Sequence, residues 1–213
     1  MFTGLVQATG SIVSVARRDG GVHIDIDATA LAPRPIAVGD SIAVSGVCLT
    51  ATTVGAGHFT ADVSAETLSK TCGLDGCRAV NLETSLALGD KLGGHLVAGH
   101  VDGIGTVLRF APVGESMELV VRAPAALGRF LAVKGSVCVD GVSLTINRVI
   151  DQPDAGPGGA GGCDISINLI AHTIAVTTLR ELGPGSTVNL EIDLIARYVG
   201  RMLEAATGKP PTY

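Results

Sequence analysis

Two six-residue segments hold the residue types from which a site for a flat heterocycle could be built: Ser45-Gly-Val-Cys-Leu-Thr50 and Asp140-Gly-Val-Ser-Leu-Thr145. In each, the glycine lets a ligand approach the backbone while alternate side chains face it. A strand edge there offers N–H and C=O groups in turn, the pattern that reads the imide edge of a ring. The plainer alternative is a strand with a tight bend, in which the glycine serves geometry alone.

The reactive side chains also admit two readings. Cys48 is a nucleophile only if its thiol pKa is lowered, and is otherwise a small apolar filler. His100, in the glycine-rich GHVDG, could shuttle a proton near neutral pH or bond to the backbone of a turn. Five cysteines, an odd number with no C-x-x-C pair, argue for reduced thiols over a disulfide framework or a zinc site. His95 and His100 stand five apart, which on a strand points them to opposite faces and weakens a metal reading. GHVDGIG is not a dinucleotide fingerprint and opens no βαβ unit.

The two segments are copies of one another. Gly4–Val15 recurs 95 positions later as Gly99–Phe110, and Val38–Thr52 recurs at the same offset as Val133–Asn147. Beyond them, Ala61–Thr71 faces Ile167–Thr177 and AVNLE (Ala79–Glu83) faces TVNLE (Thr187–Glu191), the offset enlarged by the Gly/Pro-rich stretch Asp151–Gly162. So long a period exceeds the roughly 20–50 residues of solenoid repeats, and each copy reads as a whole small domain. The copies disagree at Cys48/Ser143, Ser45/Asp140, Leu5/His100 and Glu66/His172. Each exchange alters chemistry more than size, so two sites for one kind of molecule could treat it differently, one polarising and one deprotonating. Drift after duplication accounts for the same exchanges.

Short β-strands must position these groups. Segments rich in Val, Ile and Thr recur with glycine between them at Leu5–Val15, His23–Ile26, Ser41–Val54 and Phe59–Val63. In the second copy they are Gly103–Phe110, Glu118–Arg122, Ser136–Val149, Asp164–Leu169 and Thr187–Ile192. About six strands in so short a copy suit a closed barrel, because closure removes unpaired edges. The expected fold is therefore all-β: two similar six-stranded barrels in tandem, over residues 1–95 and 96–193, followed by a helix and tail over 194–213. Ser64–Ser69 and Ile170–Val176 read as single helical turns, and Leu88–His95 as a linker. Ile195, Tyr198, Val199, Met202 and Leu203 form one apolar helical stripe, which has to cover itself against a barrel or against other chains. Asp151–Gly162 reads as a mobile surface loop and Thr207–Tyr213 as a loose tail.

Composition narrows the function classes. With 46% hydrophobic residues in 213 the chain can bury two small cores, but with 3% aromatics and no Trp these must be filled by Val, Ile, Leu and Ala. A net charge of −5 without a basic run gives no field for nucleic acid. There is no secretion signal at the start and no run of about 18 apolar residues, so a soluble, unexported, cytoplasmic protein without membrane contact is expected.

Six motifs carry a family resemblance. MFTGLVQATG, GDSIAVSGVCLT, ADVSAETL, NLETSLALGDKLGGHLVAGHVDGIG, KGSVCVDGVSLT and LIAHTIAVTTL, in this order across nearly the whole chain, resemble the riboflavin synthase alpha-subunit family. The resemblance implies two six-stranded Greek-key barrels, a homotrimer assembled through the C-terminal helices, and dismutation of two 6,7-dimethyl-8-ribityllumazine molecules with no external redox cofactor or metal. It implies a lumazine in each barrel, the productive site joining barrels of neighbouring subunits, and raises the question of attachment to lumazine synthase. Position by position, it implies an N-terminal site of Gly4, Leu5, Val6, Ser41, Cys48, Leu49, Thr50, Asp62, Val63, Ser64, Ala65, Glu66 and Thr67. The C-terminal site would comprise Gly99, His100, Val101, Lys134, Ser143, Leu144, Thr145, Asn168, Leu169, Ile170, Ala171, His172 and Thr173, with Phe2 shaping the N-terminal one. Ser41, Cys48 and His100 are the expected polar or nucleophilic helpers, with Asp140, Ser143 and Thr145 around the other ring. Ser45, Ala98 and Ala171 stand where the family commonly has Asn, Ser and Pro, which touches local binding detail. Two rivals remain: a non-catalytic lumazine- or flavin-binding antenna protein, disfavoured because both copies keep their segments, and a nicotinamide-dependent flavin reductase, disfavoured by the missing fingerprint.

Overall fold

The structure, a computed structural model, describes residues 1–31, 35–152 and 161–207. Its strands follow from period-two alternation. In β2 (Gly21–Asp27) Val22, Ile24 and Ile26 are buried while His23, Asp25 and Asp27 point outward. Burying each such aliphatic side chain is worth about 1.5–3 kcal/mol, and inward-facing Ile, Val, Leu and Ala of this kind fill one core in each half of the chain.

The C-terminal copy is a closed six-stranded barrel. Its strands are β8 (Gly103–Val113), β9 (Ser116–Pro124), β10 (Ser136–Val139), β11 (Val142–Gln152), β12 (Gly162–Leu169) and β13 (Thr187–Ile192), hydrogen-bonded in the order β10-β11-β12-β9-β8-β13. The N-terminal copy has seven strands: β1 (Ala8–Arg18), β2, β3 (Ser41–Val44), β4 (Val47–Thr50), β5 (Thr53–Gly55), β6 (His58–Ser64) and β7 (Arg78–Thr84), in the order β4-β3-β7-β1-β2-β6-β5. The extra strand is a break, since β4 and β5 are successive pieces of the strand that stays whole as β11. Thr52 bridges the gap by donating its N–H to Thr60 O at 2.8 Å. In β11 the same place shows as a register shift between Ile146 and Arg148. The all-β, tandem-barrel expectation therefore holds, with one strand in two parts.

Both β3–β4 and β10–β11 are two-residue hairpins. Ser45-Gly46 and Asp140-Gly141 all have positive φ, 44° and 82° in the first and 46° and 82° in the second, the type I′ turn that matches strand twist. The two turns touch: a Cβ on Gly46 would lie 2.7 Å from Gly141 N, and one on Gly141 would lie 2.8 Å from Gly46 N. Glycine is fixed there by contact between the two halves as well as by φ.

Two of the short helices match the expected turns: α1 (Ala65–Lys70), capped by Ser64 Oγ accepting from Thr67 N, and α3 (Ala171–Val176). A four-residue helix, α2 (Ala125–Gly128), was not foreseen. The final helix, α4 (Leu194–Thr207), is tied to the second barrel by Arg197, which donates to Asp102 at 2.8 Å, and by an Arg129–Glu204 ion pair. Ile195, Tyr198, Val199, Met202 and Leu203 on it are exposed, Met202 by 71%. The loop expected over 151–162 has its flanks in β11 and β12, and its middle, 153–160, lies outside the described residues, as do 208–213 of the tail.

Candidate functional site

Each copy begins with an arm rather than a strand, and the two arms cross. Phe2 and Val97, equivalent residues of the two copies, pair with each other: Phe2 N donates to Val97 O at 2.7 Å and Val97 N to Phe2 O at 3.1 Å. From this crossing point the first arm runs onto the second barrel. Ser143 N donates to Gly4 O at 2.8 Å, and Val6 packs on the C-terminal core. The second arm runs onto the first barrel, with Cys48 N donating to Gly99 O at 2.9 Å and Val101 packing on the N-terminal core. The grouping expected from sequence is thus reversed for these segments. Gly4, Leu5 and Val6 lie with Ser143 and Thr145, whereas Gly99, His100 and Val101 lie with Cys48 and Thr50. The strand expected from Leu5 consequently starts only at Ala8.

A buried glutamate anchors each arm. Glu83, 4% exposed, accepts from Thr3 N and Thr3 Oγ1, each at 2.7 Å, and from Gly4 N at 3.0 Å. Its counterpart Glu191, 2% exposed, accepts from Ala98 N, Gly99 N and His100 N at 2.6, 2.9 and 3.1 Å. Burial raises both carboxyl pKa values, that of Glu191 to about 7, against the pull of the N–H donors. The NLE repeat exposed these residues to view, but nothing in it assigned them a role. The arms press so closely that a Cβ on Gly4 would lie 2.6 Å from Ser143 Cβ, and one on Gly99 2.6 Å from Cys48 Cβ. Both glycines have positive φ as well, +73° and +78°.

Strand alternation turns one side of each hairpin outward. Leu49 and Leu144 point into the cores, while Cys48 and Ser143 are half-buried under the arms and Thr50 and Thr145 are exposed. Ser41 pairs with Thr50, and Ser136 with Thr145. On the first barrel Asp62 and Ser64 also face outward from β6, beside a cavity of about 360 Å³, and Ala65, Glu66 and Thr67 continue from them into α1. Asp62 Oδ1 accepts from His23 Nδ1 at 2.6 Å. On the second barrel Asn168 and Ile170 face outward from the end of β12, with Ala171, His172 and Thr173 opening α3. Lys134, at positive φ, lies 3.5 Å by its Nζ from Asn147 Oδ1. The N–H groups of Cys48 and Ser143 are already used by the arms, so an imide edge would have to be read further along each strand. Phe2 is fully buried between the barrels with Ala43, Val97 and Cys138, and its cluster reaches Cys48.

Asp140 lies apart from these groups. It sits in the hairpin turn at the seam, 7% exposed, accepting from Asn189 N at 2.8 Å, and lines a small space with Cys72, Arg78 and Thr187. Burial pushes its carboxyl up to about 7. Around it the seam is stitched by equivalent asparagines: Asn81 Nδ2 donates to Asp140 O at 2.8 Å and Asn189 Nδ2 to Ser45 O at 3.1 Å. A cleft of about 640 Å³ lined by Arg17, Cys72, Asp75, Cys77 and Arg78 adjoins it. All five cysteines are free, and burial raises the thiols of Cys72, Cys138 and Cys163, the last to about 11.

A histidine set aside on spacing grounds lies at the second barrel's site. His95 is buried, with Nδ1 2.7 Å from Ser143 Oγ, whereas His100 is exposed on the arm that crosses the first barrel. No strand carries both: apart from the isolated bridge at Val97 the segment is irregular, and it passes from the second barrel at His95 to the first at Gly99.

Comparison with known proteins agrees with this duplicated arrangement. Residues 3–85 and 98–193 match the lumazine binding domain family. Riboflavin synthase of Mycobacterium bovis is 41% identical, over 97% of this chain and 100% of its own. Riboflavin synthases of Bacillus subtilis and Photobacterium phosphoreum are 36% and 35% identical, over 97% and 95% of this chain and 91% and 89% of theirs. Among solved structures, LumP complexed with riboflavin shares the fold, with a TM-score of 0.74 at 23% identity over 90% of this chain and 99% of that one.

Proposed function

The chain belongs to the riboflavin synthase family, carrying its lumazine-binding domain twice, and from that premise we propose that it dismutates 6,7-dimethyl-8-ribityllumazine. Two molecules give one riboflavin and one 5-amino-6-(D-ribitylamino)uracil, as a four-carbon unit passes from one to the other, so the enzyme is a transferase at the last step of riboflavin synthesis. The products hold between them every atom of the two substrates, so the reaction consumes no oxidant or reductant.

The observation that carries this reading is the pair of equivalent, non-identical sites. Each barrel keeps its hairpin strand, with Cys48-Leu49-Thr50 in one and Ser143-Leu144-Thr145 in the other, beneath a glutamate-anchored arm. A binder of one ligand has no use for both. One lumazine is bound by Ser41, Cys48, Leu49, Thr50 and Asp62–Thr67 with Gly99, His100 and Val101. The other is bound by Lys134, Ser143, Leu144, Thr145 and Asn168–Thr173 with Gly4, Leu5 and Val6. Thr50 and Thr145 fix the pyrimidine edges, and Asp62, Glu66, Thr67 and their counterparts pair the ribityl hydroxyls, which cannot be buried unpaired. The 7-methyl group of the ring is acidic because its anion delocalises, so orientation and assisted proton transfer suffice. Ser41, Cys48, His100, Ser143 and Thr145 are the polar helpers. Asp140 acts from the seam, by holding the β10–β11 turn against Asn189.

The exposed Ile195, Tyr198, Val199 and Met202 support a homotrimer joined through α4, with productive sites formed between barrels of neighbouring subunits in the cytoplasm. Association with lumazine synthase, which makes the substrate, is read by co-sedimentation. The deciding experiment mixes the protein with the lumazine alone. One riboflavin per two lumazines consumed establishes the dismutase, and tight binding without turnover establishes an antenna-type binder instead.

A further inference from the structure

The cleft of about 640 Å³ beside the seam carries charges that the second copy lacks. It is lined by β1, β2 and the segment 71–78, with Thr187 contributed by the second barrel. Arg17, paired with Val22, has Pro112, paired with Met117, as its equivalent past the matching bulges of β1 and β8. Ser11 pairs with Ala79 as Thr106 pairs with Thr187, so the equivalent of Arg78 is Ser186. The lumazine sites come as a pair, and the chemistry of this unpaired cleft is separate from theirs. Among the described residues neither Arg17 nor Arg78 has an ion-pair or hydrogen-bond partner for its guanidinium, whereas Arg18, Arg122 and Arg197 do. The backbone N–H groups of Gly73, Leu74, Asp75 and Gly76 also donate to no described residue. A Cβ on Gly73, at φ +83°, would lie 2.6 Å from Arg78 Nη1, so the guanidinium rests against this run of donors. Successive free N–H groups beside a planar guanidinium form a concavity suited to a tetrahedral oxyanion. Asp75 is the carboxylate on the wall, and burial holds Cys72 as the neutral thiol, which leaves the cleft cationic.

We propose that the cleft binds a small phosphomonoester, with its phosphate held by Arg78 and the backbone of residues 73–76, and Arg17 supplying the second positive charge. The volume falls within the roughly 300–1,000 Å³ of small-molecule sites, and a phosphate ion alone fills little of it. The remainder of the ligand carries hydroxyl groups, which Thr71, Asp75 and Thr187 on the walls can pair. The proposal does not depend on what the barrels catalyse. Thr187 opens β13, and Arg78 is the cation that acts on the buried Asp140 carboxyl at the seam. A bound ligand therefore touches both halves of the chain and steadies them against separation.

The test is calorimetric titration of the full chain with glucose 6-phosphate, inorganic phosphate and glucose. It is repeated in Arg78→Gln, Arg17→Gln and, as a control for net charge, Arg109→Gln on the second barrel. Glucose 6-phosphate should bind once per chain, inorganic phosphate more weakly at the same place, and glucose not detectably. Losing a charged hydrogen-bond partner should weaken glucose 6-phosphate roughly 10–100-fold in Arg78→Gln. Arg17→Gln should weaken it by a smaller factor and Arg109→Gln should leave it unchanged. In the wild type the amide signals of Gly73 and Gly76 should shift on binding, and saturating 6,7-dimethyl-8-ribityllumazine should displace nothing. Failure to bind at millimolar concentration overturns the proposal. Equal losses in all three variants, displacement by the lumazine, or inorganic phosphate binding as tightly as the sugar phosphate overturn it too. If Arg78→Gln does not fold, the wild-type Gly73 and Gly76 signals decide, and their standing still on addition of glucose 6-phosphate refutes the site.

Discussion

Replacing Asp140 by Asn should convert a pH-dependent cost into a constant one. The Asp140 carboxyl is raised from its ordinary 3.8 to about 7, chiefly by burial, with the Asn189 N–H and Arg78 pulling the other way. A group whose folded pKa lies above its unfolded value contributes stability that is present in acid and is lost as pH rises between the two values. The gap of roughly three units, at 1.36 kcal/mol each, amounts to about 4 kcal/mol lost between pH 4 and 8. Asn keeps a carbonyl oxygen for Asn189 N and tolerates the positive φ of 46° at this turn, so it removes the titration and little else. Urea unfolding of both proteins at pH 4, 5, 6, 7 and 8 reads the difference directly. The variant should gain on wild type steadily up to about pH 7, by up to about 4 kcal/mol, and hold that margin above. A difference that is flat across this range, or one that favours wild type as pH rises, would refute the account by showing that Asp140 is ionised in the fold throughout.

Glu191→Gln sets an amide NH₂ against the N–H groups of the Ala98–His100 arm. It should cost about 1–3 kcal/mol and speed hydrogen exchange at Gly99 and His100, while Gly4 on the Glu83-held arm stays protected. Gly99→Ala drives a Cβ to 2.6 Å from Cys48 Cβ at a φ of +78°; calorimetric titration should find one lumazine bound per chain where wild type binds two. Tyr198→Lys places a charge in the exposed stripe of α4; on the proposed assembly, light scattering should find a trimer for wild type and a monomer with both barrels intact for the variant.

What could be read in the sequence was whatever is local or periodic. The strands showed because alternation along segments such as Gly21–Asp27 is a property of neighbours. The tight glycine bend in each hairpin showed because Ser45-Gly46 and Asp140-Gly141 carry the residues that positive φ requires. The crossing of the arms did not show: Gly4-Leu5-Val6 and Gly99-His100-Val101 precede their own barrels in the chain, and no local preference says which barrel they will cover. Glu83 and Glu191 were visible only as matched letters, because their partners are N–H groups 79–80 and 91–93 residues away. The five-residue spacing argues against His95 only if one strand carries both histidines, whereas the segment between them passes from one barrel to the other.

The crossed arms also govern how the molecule comes apart. A chain of two barrels joined by a linker would ordinarily melt in two steps, the weaker half first. Here the unfolding of either barrel frees the arm lying on it, withdraws the backbone carbonyl of Gly4 or Gly99 from its hairpin, and uncovers the side chain beneath. Neither half retains its native surface once the other is lost, so heat should find a single cooperative transition, and a lumazine bound at one barrel should protect the whole chain against denaturation.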